Sequence, residues 1–212
     1  MTAGLHADAL RTLTGWAAPD DQQRLLRSAY VEHLRTHDDG MLRSCVPAHL
    51  TASAMVLDHT GERVLLTLHR KGGFWGQLGG HCEPQDDTLA AAAMREATEE
   101  SGIGGLRLVD DAPVDLDRHA LSTAFGTCGE HLDVRYAVVA PPGAEPVVSD
   151  ESDELAWFSI GKLLAGDLPG TAVEDLARLV RRARAALGQS SAQSSGQSSD
   201  RLSPAVADTP SR

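Results

Sequence analysis

Glu96, Glu99 and Glu100 stand at positions i, i+3 and i+4 of the run Thr88-Leu89-Ala90-Ala91-Ala92-Ala93-Met94-Arg95-Glu96-Ala97-Thr98-Glu99-Glu100-Ser101. Its alanines, leucine, methionine and glutamates favour helix, Thr88 can cap the start and Gly102 can end it. At about 100° per residue the three carboxylates fall in an arc of roughly 100° on one face. Carboxylates so crowded repel each other. A solvated acidic face usually interleaves lysine or arginine at those spacings, and here Arg95 is the close one, four residues before Glu99. A hard divalent cation such as Mg²⁺ or Mn²⁺, bound through oxygen ligands, would supply the missing positive charge. An exposed acidic helix end would carry the same residues, so spacing alone leaves both readings open.

The residues ahead of the helix add to this. The run Gly79-Gly80-His81-Cys82-Glu83-Pro84-Gln85-Asp86-Asp87-Thr88, continued through Arg95-Glu96-Ala97-Thr98-Glu99-Glu100-Ser101-Gly102-Ile103, resembles the signature of the Nudix (MutT-like) hydrolases. That pattern is Gly, five residues, Glu, seven residues, then Arg-Glu-apolar-x-Glu-Glu-x-Gly-apolar. The second half matches throughout, with Ala97 and Ile103 as the apolar positions. The first half departs from it: eight residues back from Arg95 stands Asp87 in place of Glu, and six further back stands His81, so Gly80 is one residue early. One extra residue in the Glu83-to-Asp87 loop accounts for both departures and puts only the structural role of Asp87 in question.

The resemblance implies a Nudix-type α/β/α sandwich with a mixed β-sheet over about Pro47 to Leu164. It implies a Mg²⁺-dependent hydrolase (Mn²⁺ as the alternative) that cleaves a phosphoanhydride bond in a nucleoside diphosphate linked to another moiety, or in a nucleoside triphosphate. Glu96, Glu99 and Glu100 would be the metal ligands and catalytic carboxylates. Arg95 reads as the ion-pair partner that fixes Glu99 or a neighbouring acid. Gly79 and Gly80 would let the backbone pass close to the metal site. MutT-like enzymes often use a further glutamate in the loop before a late tryptophan. Glu151, six residues before Trp157, is the best match and Glu154 the next, although either also reads as a solvated loop acid. A catalytically silent nucleotide-sensing module is the alternative function, against which the retained Arg95, Glu96, Glu99 and Glu100 argue. Isoprenoid diphosphate isomerisation needs a cysteine beside the substrate, and Cys82, inside the loop, is a poor candidate.

These residues need a scaffold. Thr51 to Leu57 and Val64 to Leu68 are β-prone runs joined by the turn Asp58-His59-Thr60-Gly61, and further strands are expected at Leu132 to Val139 and Leu155 to Phe158, with a short helix from Ser159. Gly129 to Tyr136 alternates Leu132, Val134 and Tyr136 against His131, Asp133 and Arg135, so one face is buried and the other lines a pocket or meets water. His81 and Cys82, with no third or fourth ligand in spacing, read as packing or loop residues. Phe74 and Trp75 read as core, with stacking on a nucleobase as the alternative. Leu26, Tyr30, His33 and Leu34 mark an amphipathic helix over Pro19 to His37, expected to dock on its own domain, with a homodimer as the alternative. Leu176, Leu179, Val180 and Ala183 mark a last helix over Val173 to Leu187. Its Arg178, Arg181, Arg182 and Arg184 suit a helix C-terminus as well as a basic patch. We therefore expect an N-terminal helical extension over residues 1–46, a Nudix domain over 47–187 and a disordered serine-rich tail over 188–212.

The 212 residues, 42% of them hydrophobic, suffice for one ordinary core. A net charge of −11 opposes binding to polymeric nucleic acid and to anionic membranes, and favours cations. Three scattered cysteines, Cys45, Cys82 and Cys128, match neither a disulfide framework nor a closely spaced zinc site. With no apolar run of about 20 residues and no signal-like start at Met1 to Leu10, a cytoplasmic protein is expected, its partner a nucleotide or other organic pyrophosphate.

Overall fold

The computed structural model describes residues 2–69, 73–120, 128–147, 152–168 and 170–199. At its centre lies β1 (Ala48–Leu57), buried at all ten positions because strands pair with it on both sides and helices cover both its faces. On one side β7 (Glu130–Val139) runs parallel to it in unbroken register, from Ala48 opposite Glu130 to Leu57 opposite Val139. On the other side two antiparallel partners divide β1 between them. β4 (Leu78–His81) takes the first half, with Thr51 opposite His81, and β2 (Arg63–His69) takes the end, with Val56 opposite Leu65. The sheet continues through β8 (Ser152–Ser159) and β3 (Phe74–Gly76) on β2, and β9 (Thr171–Ala172) on β3. β5 (Arg107–Leu108) and β6 (Asp115–Ala120) pair with β7. The architecture is a mixed α/β sandwich of the expected class.

Strand alternation assigns the layers. Leu50, Ala52, Ala54 and Val56 of β1, with Leu132, Val134, Tyr136 and Val138 of β7, join one core with α1 (Thr2–Gly15), α2 (Asp21–Thr36) and α3 (Leu89–Ser101). Met55, Leu57, Val64, Leu66 and Ala137 join the other with α4 (Ile160–Leu164) and α5 (Leu176–Ser199). Trp75 belongs to this second core and meets Phe158 edge to face at 4.8 Å. In the β1–β2 turn, Asp58 accepts the backbone N–H groups of Glu62 and Arg63, and Gly61 takes the left-handed conformation.

The expected N-terminal helical extension comprises two helices, and in the first, α1, Leu5, Ala9 and Leu13 recur at the spacing of a buried stripe. The second docks on its own domain through both apolar and polar contacts. The buried Gln23 side chain acts as a strand edge: its amide donates to the Leu116 carbonyl at 2.9 Å and its oxygen accepts from the Leu116 N–H at 2.7 Å. The last helix buries Leu176, Leu179, Val180 and Ala183 as their spacing predicts, and two of its arginines, Arg178 and Arg182, have partners in the fold. Arg178 bonds Asp115 and Asp175, while Arg182 bonds Asp115 and the α2 cap Asp20. Beyond Leu187, where a disordered tail is expected, α5 continues through Ser199, because a helix already anchored by its docked half can propagate through polar residues. Residues 200–212 of that expected tail lie outside the described residues. Among the described residues no helix is long and apolar enough to cross a membrane.

Candidate functional site

Helix α3 has the two ends its sequence predicts. Thr88 accepts the Ala91 N–H at 3.0 Å, and Gly102, at φ 66°, closes the helix by returning its N–H to the Thr98 carbonyl. Ala92, Ala93 and Ala97 face the sheet, and their small side chains bring the helix close to β1 and β4. That approach sets the positions of the glutamates. Glu100 is buried and accepts the Gly79 N–H through Oε2 at 3.1 Å. Glu96, one turn earlier, lies over Gly80 so closely that a Cβ there would stand 2.7 Å from its Oε1. Gly79 is just as constrained from the other side, since a Cβ would fall 2.5 Å from the Cα of Ser53 on β1. Gly79 is therefore a steric requirement of the strand, whereas Gly80 makes room for the Glu96 carboxylate. Glu99 is the outlier of the three, with its side chain 60% exposed.

Arg95 organises the acidic end. Its Nε and Nη2 donate to the two oxygens of Asp86 at 3.0 and 3.1 Å, Nη2 also to the His81 carbonyl at 2.9 Å, and Nη1 to Glu96 at 3.1 Å and Glu99 at 2.9 Å. The Asp86 bonds, acting against burial, raise the guanidinium pKa further above its ordinary value. Asp86 is itself buried and accepts the Glu83 N–H at 2.7 Å, whereas Asp87 is exposed. This corrects the alignment of the signature. Counted forward from Gly80, five residues reach Asp86, so the first half holds with Asp for Glu, and the extra residue falls between Asp86 and Arg95.

The opposite face of the same strands carries what the sequence left undecided. Asp133 and Arg135 of β7 are buried, and His131 at the start of the strand is half-buried. Arg135 is 2% exposed and pairs with Asp115, Asp117, Asp133 and Asp175, while Thr51 and Ser53 donate to Asp133 at 3.0 and 2.7 Å. Several carboxylates around one buried guanidinium raise its pKa despite the desolvation that opposes its charge. Next to this network the register puts His131 opposite both His49 and His119, and His81 opposite Thr51. Sequence reasoning missed this histidine group, because strand pairing alone brings its members together.

Two other expectations end differently. Glu151 lies outside the described residues. Glu154 is exposed on β8, opposite Leu68. Cys82 is buried in the β4–α3 connection, and its thiol is pushed up to about 12, chiefly by desolvation.

Comparison with known proteins places this geometry. The chain is similar in structure to Escherichia coli dihydroneopterin triphosphate pyrophosphohydrolase (TM-score 0.51, 18% identity, 63% of this chain and 92% of that one). It is also similar to a Caenorhabditis elegans Ap4A hydrolase (0.50, 18%, 66% and 98%). The NUDIX domain of Shewanella oneidensis NrtR, solved with ADP ribose, is a third such structure (0.50, 20%, 74% and 97%). At these identities the likeness concerns the fold. No curated protein matches the sequence. The NUDIX domain model matches residues 47–183, well over half of the sequence, and with the Arg95-centred arrangement on α3 in view, this chain belongs to the NUDIX family.

Proposed function

We propose that this protein is a Mg²⁺-dependent hydrolase of a phosphoanhydride bond in a nucleoside diphosphate linked to another moiety or in a nucleoside triphosphate. The observation that carries the reading is the convergence of Glu96 and Glu100, from successive turns of α3, on the Gly79–Gly80 backbone. The donor set fits a hard cation: Glu96, Glu99 and Glu100 offer carboxylate oxygens, and Gly80 leaves open a space that any Cβ would fill. These three residues would hold Mg²⁺ or Mn²⁺, which when bound supplies neutralisation of phosphate charge and a coordinated water of lowered pKa.

The chain's own groups do the rest. Arg95, committed to Asp86, Glu96 and Glu99, positions carboxylates instead of reaching for phosphate. A carboxylate, Glu151 or one of the α3 glutamates, would take the proton from the attacking water. The structurally similar proteins are named for dihydroneopterin triphosphate and Ap4A or were solved with ADP ribose. All three compounds contain a phosphoanhydride, which supports that substrate class. A diphosphate isomerase would require an accessible proton-transferring cysteine, and the buried, protonated Cys82 does not support that role.

The test is a screen of nucleotide sugars, ADP-ribose, dinucleoside polyphosphates and nucleoside triphosphates, with products identified. We expect turnover that disappears with a chelator and returns with Mg²⁺ or Mn²⁺. Full activity in excess chelator would overturn the metal assignment, and nucleotide binding without turnover across the screen would make a sensing module the better reading.

A further inference from the structure

Three histidines from three strands meet beside the buried ionic network. His49 of β1 lies 4.8 Å from His131 of β7 and 5.1 Å from His81 of β4, ring centre to ring centre, and His81 lies 5.2 Å from His131. One nitrogen from each falls within 4.8 Å of the others. His49 is 1% exposed, and its Nε2 is buried with no hydrogen-bond partner. Its Nδ1 stands 3.1 Å from the Cys128 Sγ, which leaves Nε2 as the nitrogen available to a ligand. A buried imidazole nitrogen left unsatisfied is costly, and a bound cation is one way to remove the cost.

We propose that His49, His81 and His131 form a second cation site, for a borderline divalent metal of the Zn²⁺ class, distinct from the carboxylate site on α3. Imidazole nitrogens suit such ions, whereas Mg²⁺ prefers oxygen. The three ligands sit on adjoining strands whose register is fixed by backbone pairing, a rigid base for a three-histidine site with one coordination position left open. Tetrahedral ligands about 2.1 Å from a metal are about 3.4 Å apart, so binding requires the rings to draw inward by little more than an ångström. His81 and His131 are half-buried and give an ion its approach, with His49 at the back. Alternation along β4 turns His81 away from the face on which Gly80 meets Glu96, which separates the two sites. Desolvation lowers both pKa values, aided at His81 by Arg43 and His49 and at His131 by His49, His119 and His81, to about 4 and about 3. His119, held by Asp117, acts on this cluster too, as do Asp133, the Cys128 thiol beside His49, and His33.

The experiment uses the full chain stripped of metal and titrated with Zn²⁺ against a chromophoric chelator in excess Mg²⁺. We expect one tight equivalent that persists in Glu96→Gln and is weakened roughly 10²-fold or more in His81→Asn and His131→Asn. Because a histidine variant can fail to fold, the imidazole NMR signals of the wild-type chain are followed in the same titration. Those of His49, His81 and His131 should shift together at one equivalent. Absence of a tight equivalent, shifts confined to other histidines, or an equivalent lost in Glu96→Gln and kept in His81→Asn would each overturn the proposal.

Discussion

Arg95 and Asp86 form a two-pronged ion pair, at 3.0 and 3.1 Å, that ties the middle of α3 to the loop entering it. Asp86 is buried, and Arg95 reaches from the same guanidinium to Glu96 and Glu99. The pair thus couples loop position to carboxylate position. Cutting it leaves a partly buried guanidinium short of its main partner, so Asp86→Ala should cost about 3 kcal/mol of stability, while Asp87→Ala at the exposed neighbour should stay within about 0.5 kcal/mol. Denaturant unfolding of the two variants checks this. Equal losses would mean that the loop is held by something other than the ion pair.

Glu96→Gln and Glu100→Gln keep side-chain shape and remove charge. Each should lower kcat by roughly 10²-fold or more on the best substrate, with folding intact, because a neutral amide is a poor ligand for a hard cation. The Glu100 variant can still accept the Gly79 N–H through its amide oxygen, so its melting temperature should change little. Glu83→Gln, exposed in the loop, should have a smaller effect. Near wild-type kcat in the first two variants would remove the carboxylate site.

Adjacent glycines should fail in different ways. At Gly79 an added methyl meets the backbone of Ser53 and Ala52, which cannot yield without moving β1, and Gly79→Ala should cost several kcal/mol, on the order of other overpacking changes. At Gly80 the obstacle is the end of the flexible Glu96 side chain. Gly80→Ala should therefore displace that carboxylate, weakening Mg²⁺ activation about tenfold or more while melting close to wild type. Melting curves and Mg²⁺ titrations of activity, run side by side, separate the two outcomes.

Acid stability should report Asp58. Burial opposes its charge, but the Arg63 N–H, the Arg63 side chain, Thr60 and the Glu62 N–H outweigh this and hold its pKa below the ordinary carboxylate value. A folded pKa below the unfolded one means stability that is fully present above the unfolded value of about 4 and lost as pH falls through the folded one. Asp58→Ala should thus cost about 1–2 kcal/mol at pH 7, and the gap to wild type should narrow below about pH 4. A gap that is constant down to pH 2.5 would contradict this.

Features that rest on neighbours along the chain are legible in the sequence. The α3 carboxylates, its Thr88 and Gly102 ends, the Asp58 turn and the buried stripe of α5 are local patterns, set by a period of 3.6 or by turn chemistry, and each is found in place. Tertiary structure decided what rests on distance. Two adjacent aspartates look alike in sequence, and only the approach of Arg95 selects Asp86 over Asp87. β6 carries Asp115, Asp117 and Arg118 and shows no strand-like apolar alternation, because its partners are the Gln23 amide, the Tyr30 hydroxyl, the buried Arg135 and the half-buried Arg178. His81 looked solitary for the same reason: its neighbours His49 and His131 come from other strands, and the long-range pairing of β1 with β4 and β7 that assembles them leaves no local period in the chain.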